Sequence, residues 1–268
     1  MGLLGDLARK LSWLPLVNLP VWVPLTRPHY YYFGGVAETL KDSELHSAES
    51  WDALRTQHPH FVVQETRDKW LASLSESKDG QDLALKQRAA QIERELRVRG
   101  ITDVHSVGVG AGALEYFLKQ EMPSMHITAS EYAPANVARL RNVFHEANVI
   151  QFDIAQGDWS GVQPQPDCSA VLMYRVDPHF TNEAWRTIFS NMAAAGVENI
   201  IFIPATIVTV QYLLLLQLRA SIAYIRGERA SFTGYMRSAK VFPPFWDRLY
   251  VHKNVMLGGL PSYLLTRT

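Results

Sequence analysis

The stretch Ser106-Val107-Gly108-Val109-Gly110-Ala111-Gly112-Ala113-Leu114-Glu115 decides how this 268-residue chain folds. An apolar run over residues 104–109 enters three glycines at alternate positions, and a helical run over residues 113–120 leaves them. Absent side chains let backbone amides come close to a ligand, and the helix N-terminus adds partial positive charge at the same place. A strand, a glycine turn and a helix in this order make a seat for a bound polar group.

Outward from that turn, short apolar runs alternate with helical ones. Residues 104–109, 126–130, 149–152, 170–176 and 200–203 read as strands; residues 113–120, 135–146 and 183–194 read as the helices between them. Such alternation predicts an α/β domain whose parallel sheet lies between layers of helix. Residues 82–99 predict a charged amphipathic helix with Leu85, Ala89, Ile92 and Leu96 on its apolar stripe, stopped by Gly100. Residues 208–225 predict a very apolar helix, in which Gln211, Gln217 and Arg219 point to burial within protein. Residues 249–257 and 262–266, joined through Gly258-Gly259-Leu260-Pro261, predict an antiparallel hairpin at one sheet edge.

The polar turn Ser75-Glu76-Ser77-Lys78-Asp79-Gly80 sets a boundary between an N-terminal, mainly helical extension (residues 1–80) and the α/β domain (residues 81–268). In the extension, residues 1–13 predict a short amphipathic helix. The apolar run that follows, residues 11–25, is broken by Pro15, Pro20 and Pro24. It also falls short of the roughly 18 apolar residues a spanning helix needs. Trp13 and Trp22 near Arg9 and Lys10 suit a segment lying at a membrane surface, so residues 1–25 have three readings: a packed arm or lid, a homodimer contact, or a peripheral membrane contact.

The glycine turn alone leaves its ligand open. Gly108 and Gly110 followed by Ala113 also satisfy the relaxed dinucleotide fingerprint, which keeps an NAD(P)-dependent Rossmann oxidoreductase as an alternative. Glu131, at the end of His126-Ile127-Thr128-Ala129-Ser130-Glu131, can accept hydrogen bonds from both hydroxyls of a ribose in either case. Asp153, just past the third strand, can accept from the exocyclic amine of an adenine while Phe152 or Ile154 packs on the ring.

With these residues, the chain from about residue 82 onward resembles the class I S-adenosylmethionine-dependent methyltransferases. The resemblance rests on Gly108-Val109-Gly110-Ala111-Gly112, Glu131, Asp153 and the terminal hairpin. It implies a Rossmann-like, mostly parallel seven-stranded sheet with a C-terminal antiparallel hairpin, and S-adenosyl-L-methionine as cofactor. It further implies that Gly108, Gly110 and Gly112 line the methionine portion, that Glu131 holds the ribose, and that Asp153 and Ile154 flank the adenine. Residues 1–80 lie outside it.

The acceptor side is expected after the fourth strand, in Met173-Tyr174-Arg175-Val176-Asp177-Pro178-His179-Phe180. Asp177-Pro178-His179-Phe180 resembles the motif by which amino methyltransferases hold a nucleobase or amide nitrogen, with His179 where a second proline belongs. The other reading is a small-molecule or lipid-like acceptor methylated on oxygen or nitrogen. There Asp177 or His179 faces the acceptor, and His179 removes its proton, an imidazole having an unperturbed pKa of about 6.5. Tyr174 and Arg175 are candidate acceptor contacts. So are Tyr31, in the cluster Tyr30-Tyr31-Tyr32 that could close as a lid, and Tyr235, in an aromatic-rich segment (residues 229–246) that would wall the pocket.

Composition narrows the partners. Hydrophobic residues make up 47% and charged residues 19% of the chain, enough for a buried core. Lys+Arg and Asp+Glu are both 26, so the net charge is zero and no electrostatic case for a nucleic-acid partner exists. The single cysteine, Cys168, reads as a small buried hydrophobe. His126, His145, His179 and His252 are scattered without ligand spacing, so no metal is expected. The expected location is cytoplasmic, with membrane association left open by residues 1–25.

Overall fold

The computed structural model describes residues 19–33, 63–75, 81–162 and 165–268. In chain order its strands are β1 (Thr26–Phe33), β2 (Asp103–Val107), β3 (His126–Glu131), β4 (Asn148–Gln151), β5 (Ser169–Tyr174), β6 (Asn199–Ile203), β7 (Arg229–Arg237), β8 (Tyr250–Leu257) and β9 (Leu260–Arg267). Its α-helices are α1 (Arg67–Ser75), α2 (Gln81–Val98), α3 (Ala113–Glu121), α4 (Pro134–Val143), α5 (Asn182–Ala194) and α6 (Val210–Ile225). The main sheet runs β4-β3-β2-β5-β6-β9-β8. Strands β2 to β6 are parallel, and β9 and β8 close the edge antiparallel. The expected α/β architecture with its terminal hairpin is the architecture found.

Parallel strands covered on both faces read as continuous apolar runs, and residues 170–173 of β5 and 200–203 of β6 do. Ala170, Leu172, Ile201 and Ile203 face a cluster that holds Trp70 of α1, Ile92 and Leu96 of α2, Leu118 of α3 and Leu140 of α4. Their neighbours Val171, Met173, Ile200 and Phe202 face the opposite cluster, built from Trp185, Phe189 and Met192 of α5 with Phe242, Trp246 and Tyr263. That second layer is aromatic: Trp246 lies edge-on to Phe189 and to Tyr263, with ring centroids 5.1 Å apart in each pair. Cys168 departs from expectation. It sits half-buried in the turn before β5, its thiol against the side-chain oxygen of Gln165 at 3.2 Å.

The described residues before 80 pack with the rest of the fold. Val63, Trp70 and Leu74 belong to the same buried cluster as Ile92. The tyrosine run is strand β1, which pairs antiparallel with β7 from Thr26↔Arg237 to Phe33↔Arg229. Together with α6, which lies between β6 and β7 in the chain, this two-stranded sheet makes a cap that packs on the turn after β5. Helix α6 departs from the expected burial, because only Gln211 and Ala223 of its residues are buried. Among the described residues no helix is long and apolar enough to cross a membrane. Residues 1–18, which hold most of the expected N-terminal helix and arm, lie outside the described residues.

Candidate active site

The site lies at the carboxyl ends of β2 to β5, where an open α/β sheet presents its loops. All three turn glycines have left-handed φ, 67° at Gly108, 61° at Gly110 and 75° at Gly112. At Gly108 space is short as well as strained, since a Cβ there would stand 2.7 Å from Val176 Cγ1. The loop is pinned by its surroundings. Gly108 N donates to Ser130 O at 2.8 Å, Asn136 Nδ2 donates to Gly110 O at 2.8 Å, and Trp70 Nε1 donates to Ala111 O at 2.9 Å.

Glu131 sits at the end of β3 with 4% of its surface exposed. Its Oε2 accepts from Gly110 N at 2.9 Å and its Oε1 from Tyr132 N at 3.0 Å. Two backbone amides thus fix the carboxylate against the glycine loop. Asp153 is shaped by its own turn, Oδ1 accepting from Ala155 N at 2.8 Å.

These groups line a cavity of about 390 Å³, within the size range of small-molecule sites. Val107, Gly108, Glu131, Tyr132, Phe152, Asp153 and Ile154 form one end, and Arg175, Val176, His179, Phe180, Thr181 and Ala184 the other. Gly110 and Gly112 stand behind the wall, in the loop that carries it. Tyr132 follows the strand-end acid directly, a position from which an aromatic could have been read as a wall. Trp70 and Asn136 carried no such signal. Behind Phe152 the wall is backed by Trp159, with ring centroids 4.8 Å apart.

At the second end His179 and Arg175 line the cavity, while Asp177 does not. Asp177 is fully buried below the turn, Oδ1 accepting from Ala205 N at 2.6 Å. Burial pushes its carboxyl up to about 6, offset in part by the Ala205 amide and the Arg237 charge. Facing inward, it is not offered to an acceptor amine, which removes the geometry the amino-methyltransferase motif needs. Arg237, also fully buried, ties this turn together. Nη1 donates to Asp177 O at 2.7 Å, Nε to Asn182 Oδ1 at 2.7 Å, and Nη2 to Phe180 O. Burial lowers the guanidinium to about 10.

The other expected acceptor contacts stand elsewhere. Tyr174 turns its hydroxyl to Arg88 Nη1 at 2.6 Å and does not line the cavity. Tyr235 lies on β7 under the Arg237 guanidinium, 5.6 Å from ring centre to Cζ. The backbone of Tyr31 pairs with Ser231, and its side chain lies outside what is described. Arg175 has a left-handed φ of 59°, costly for a residue with a Cβ and a mark of a constrained site. Among the described residues no group of His, Cys, Asp and Glu could hold a metal ion.

No protein-family model matches the chain, and no curated protein matches it. Solved structures do. Human N-acetylserotonin methyltransferase in complex with SAM superposes with a TM-score of 0.51 at 15% identity, over 76% of this chain and 56% of that one. PigF, solved with SAH, superposes with a TM-score of 0.50 at 14% identity, over 82% of this chain and 70% of that one. The fold is that of the class I methyltransferases. At these identities the likeness is one of fold, and the chain spans little more than half the length of the human enzyme. The class I sheet also separates this chain from the dinucleotide fold. Where a dinucleotide sheet continues parallel to its edge, this one ends in the antiparallel pair β9 and β8.

Proposed function

We propose that the cavity binds S-adenosyl-L-methionine and that the chain transfers its methyl group to a small-molecule or lipid-like acceptor, on oxygen or nitrogen. The observation that carries this reading is Glu131, held by the amides of Gly110 and Tyr132 at the cavity wall beside Asp153 and Ile154. The donor set fits the cofactor. Glu131 accepts from ribose hydroxyls, Asp153 from the adenine amine, and Tyr132, Phe152 and Ile154 supply the flat apolar wall that a purine ring takes. When bound, the cofactor supplies an electrophilic methyl group on a sulfonium.

The chain's own residues then position the acceptor and manage its proton. Phe180 and Thr181 shape the acceptor end, and Arg175 stands at its rim. His179 takes the proton that an acceptor O–H or N–H loses as its lone pair is committed. Asp177 and Arg237 act through the turn, fixing where His179 stands. Desolvation and alignment supply much of the rate in an in-line methyl transfer.

Calorimetric titration with S-adenosylmethionine and with NAD tests the cofactor. The expected result is binding of the first, weakened about 10- to 100-fold in Glu131→Ala, since charge-assisted hydrogen bonds contribute about 1.5–3 kcal/mol. Binding of NAD without S-adenosylmethionine would overturn the reading. Once an acceptor is in hand, His179→Ala should lower turnover and leave cofactor affinity unchanged; full activity in that variant would remove His179 as the base.

A further inference from the structure

Helix α6 is rich in apolar residues, yet the described residues leave much of it uncovered. Val210, Leu214, Leu218, Tyr224 and Ile225 are exposed, Leu214 at 60% and Ile225 at 81%. Val210, Leu214, Leu218 and Ile225 fall on one side of the helix at 3.6 residues per turn, with the uncharged Gln217 and Ser221 among them. The surface continues into the N-terminal chain. Val210 N donates to Leu19 O at 3.1 Å, Pro20 bridges to Thr209, and Val21 N donates to Val208 O at 3.3 Å. Beside these pairings Leu19, Trp22 and Val23 are exposed, Trp22 at 67%. An exposed, mostly apolar and uncharged face of this kind marks a contact with something other than water.

Three observations choose the partner. The segments that build the face, residues 19–33 and 210–225, contain no Asp or Glu, and residues 19–33 carry the exposed Arg27. Glu228, just past α6, is occupied with Arg226 at 3.7 Å. Lys240 Nζ stands 5.9 Å over the Trp22 ring, a cation above an exposed indole, the pairing that suits headgroups over acyl chains. At 16 residues α6 is about 24 Å long, too short to cross a bilayer core of about 30 Å, so it would lie in the plane of the surface. Finally, the chain that joins this face at Leu19 repeats its composition, with Leu3, Leu4, Leu7, Leu11 and Trp13 beside Arg9 and Lys10. A second copy of the chain fits less well. A two-fold contact would set two carboxylate-free segments against each other, with no partner in them for Arg27 or for the neighbouring Lys240.

We propose that Trp22, Val23, Val210, Leu214, Leu218 and Ile225 form a docking face for an anionic phospholipid surface. The cap that carries this face also carries β7, whose Gly234 packs on Pro178 in the turn before His179. The docking does not depend on the methyl-transfer reading.

Co-sedimentation of the full chain with phosphatidylcholine vesicles, with and without phosphatidylglycerol, tests it. The chain should bind the mixed vesicles, less so as salt is raised. Leu214→Gln/Leu218→Gln/Ile225→Gln should bind at least about tenfold more weakly, since each exchange removes an inserted aliphatic group. Glutamine keeps helix propensity and these positions are exposed, so the variant's unfolding midpoint should match the parent. If it does not, Trp22→Gln gives the same readout outside the helix. Absence of vesicle binding would overturn the proposal, as would equal binding by the variants. A solution dimer that the variants dissolve, without vesicle binding, would assign the face to a second copy instead.

Discussion

The two ends of the cavity are held by different kinds of contact. At the Glu131 end, main-chain groups do the holding, and the participants come almost entirely from three successive strand–helix units. Gly110 N and Tyr132 N fix the carboxylate, and Ser130 O fixes the start of the glycine turn. At the His179 end, one buried guanidinium gathers groups from across the chain. Arg237 of β7 reaches Asp177, Phe180 and Asn182, and Asn182 Nδ2 in turn reaches Thr26 Oγ1 of β1 at 2.9 Å. A site end held by several separate contacts loses less with any one of them than an end hung on a single buried cation loses with that cation.

Arg237→Met gives the largest expected effect and the sharpest test of that contrast. It removes the donors to two carbonyls and to Asn182, and it leaves Asp177 buried without the opposite charge beside it. Breaking a buried charged arrangement from one side costs on the order of 3–5 kcal/mol. Denaturant unfolding should show a loss of that size, with β1 and β7 exchanging amide hydrogens faster than β2 and β3. A loss within experimental error of zero would mean that the cap is held by β1–β7 pairing and not by the guanidinium.

The same contrast explains what was legible in the sequence. The glycine turn, Glu131 and Asp153 follow one another on consecutive strands, so alternation of apolar runs places them at one sheet edge. Nothing local connects Arg237 to Asp177 or Thr26 to Asn182, because those contacts close over long stretches of chain. β1 was hidden for a related reason. Thr26-Arg27-Pro28-His29-Tyr30 lacks the period of a half-buried strand, and its partner lies some two hundred residues away in β7. Asp177 looked like an acceptor contact from its place after β5, but the turn rotates it inward toward Ala205. Composition alone pointed to burial for α6; whether a covering layer exists is decided by the rest of the fold.

Trp70 is the place where a long-range contact reaches the backbone-held end. Its indole is fully buried against Tyr116 and Phe144, and a buried indole N–H needs an acceptor, here Ala111 O. Trp70→Phe keeps an aromatic in place but leaves that carbonyl without its donor and a small void beside it. The expected loss is about 2 kcal/mol of stability, together with a several-fold drop in cofactor affinity as the turn loosens. If stability falls and affinity does not, the turn is held by Asn136 and Ser130 alone, and the N-terminal helix α1 is only packing.

The smallest expected effect separates two of the buried acids, Glu115 and Asp177. Glu115 of α3 lies under the glycine turn, its Oε1 accepting from Ser106 Oγ at 2.6 Å. Burial pushes its carboxyl up to about 7, the Ser106 hydroxyl opposes this, and the Glu131 charge adds to it. Asp177 is raised to about 6 by burial, with Ala205 and Arg237 opposing. A raised carboxyl favours the protonated fold, so its contribution is complete below the unfolded value and is lost as pH climbs through the folded one. His105 works in the opposite sense. Burial lowers it to about 4, so its contribution is intact above its ordinary 6.5 and is lost only as pH falls. Above that value Glu115 therefore sets the slope: stability should fall by about 1 kcal/mol between neutral-acid conditions and about pH 8. Glu115→Gln mimics the protonated acid, keeps an acceptor for Ser106, and should flatten that fall, whereas Asp177→Asn should leave it nearly unchanged. Denaturant midpoints of the three proteins across this window decide the matter. Equal slopes would show that Glu115 stays ionised beneath the turn, and that Glu131 shares its end of the cavity with a second negative charge.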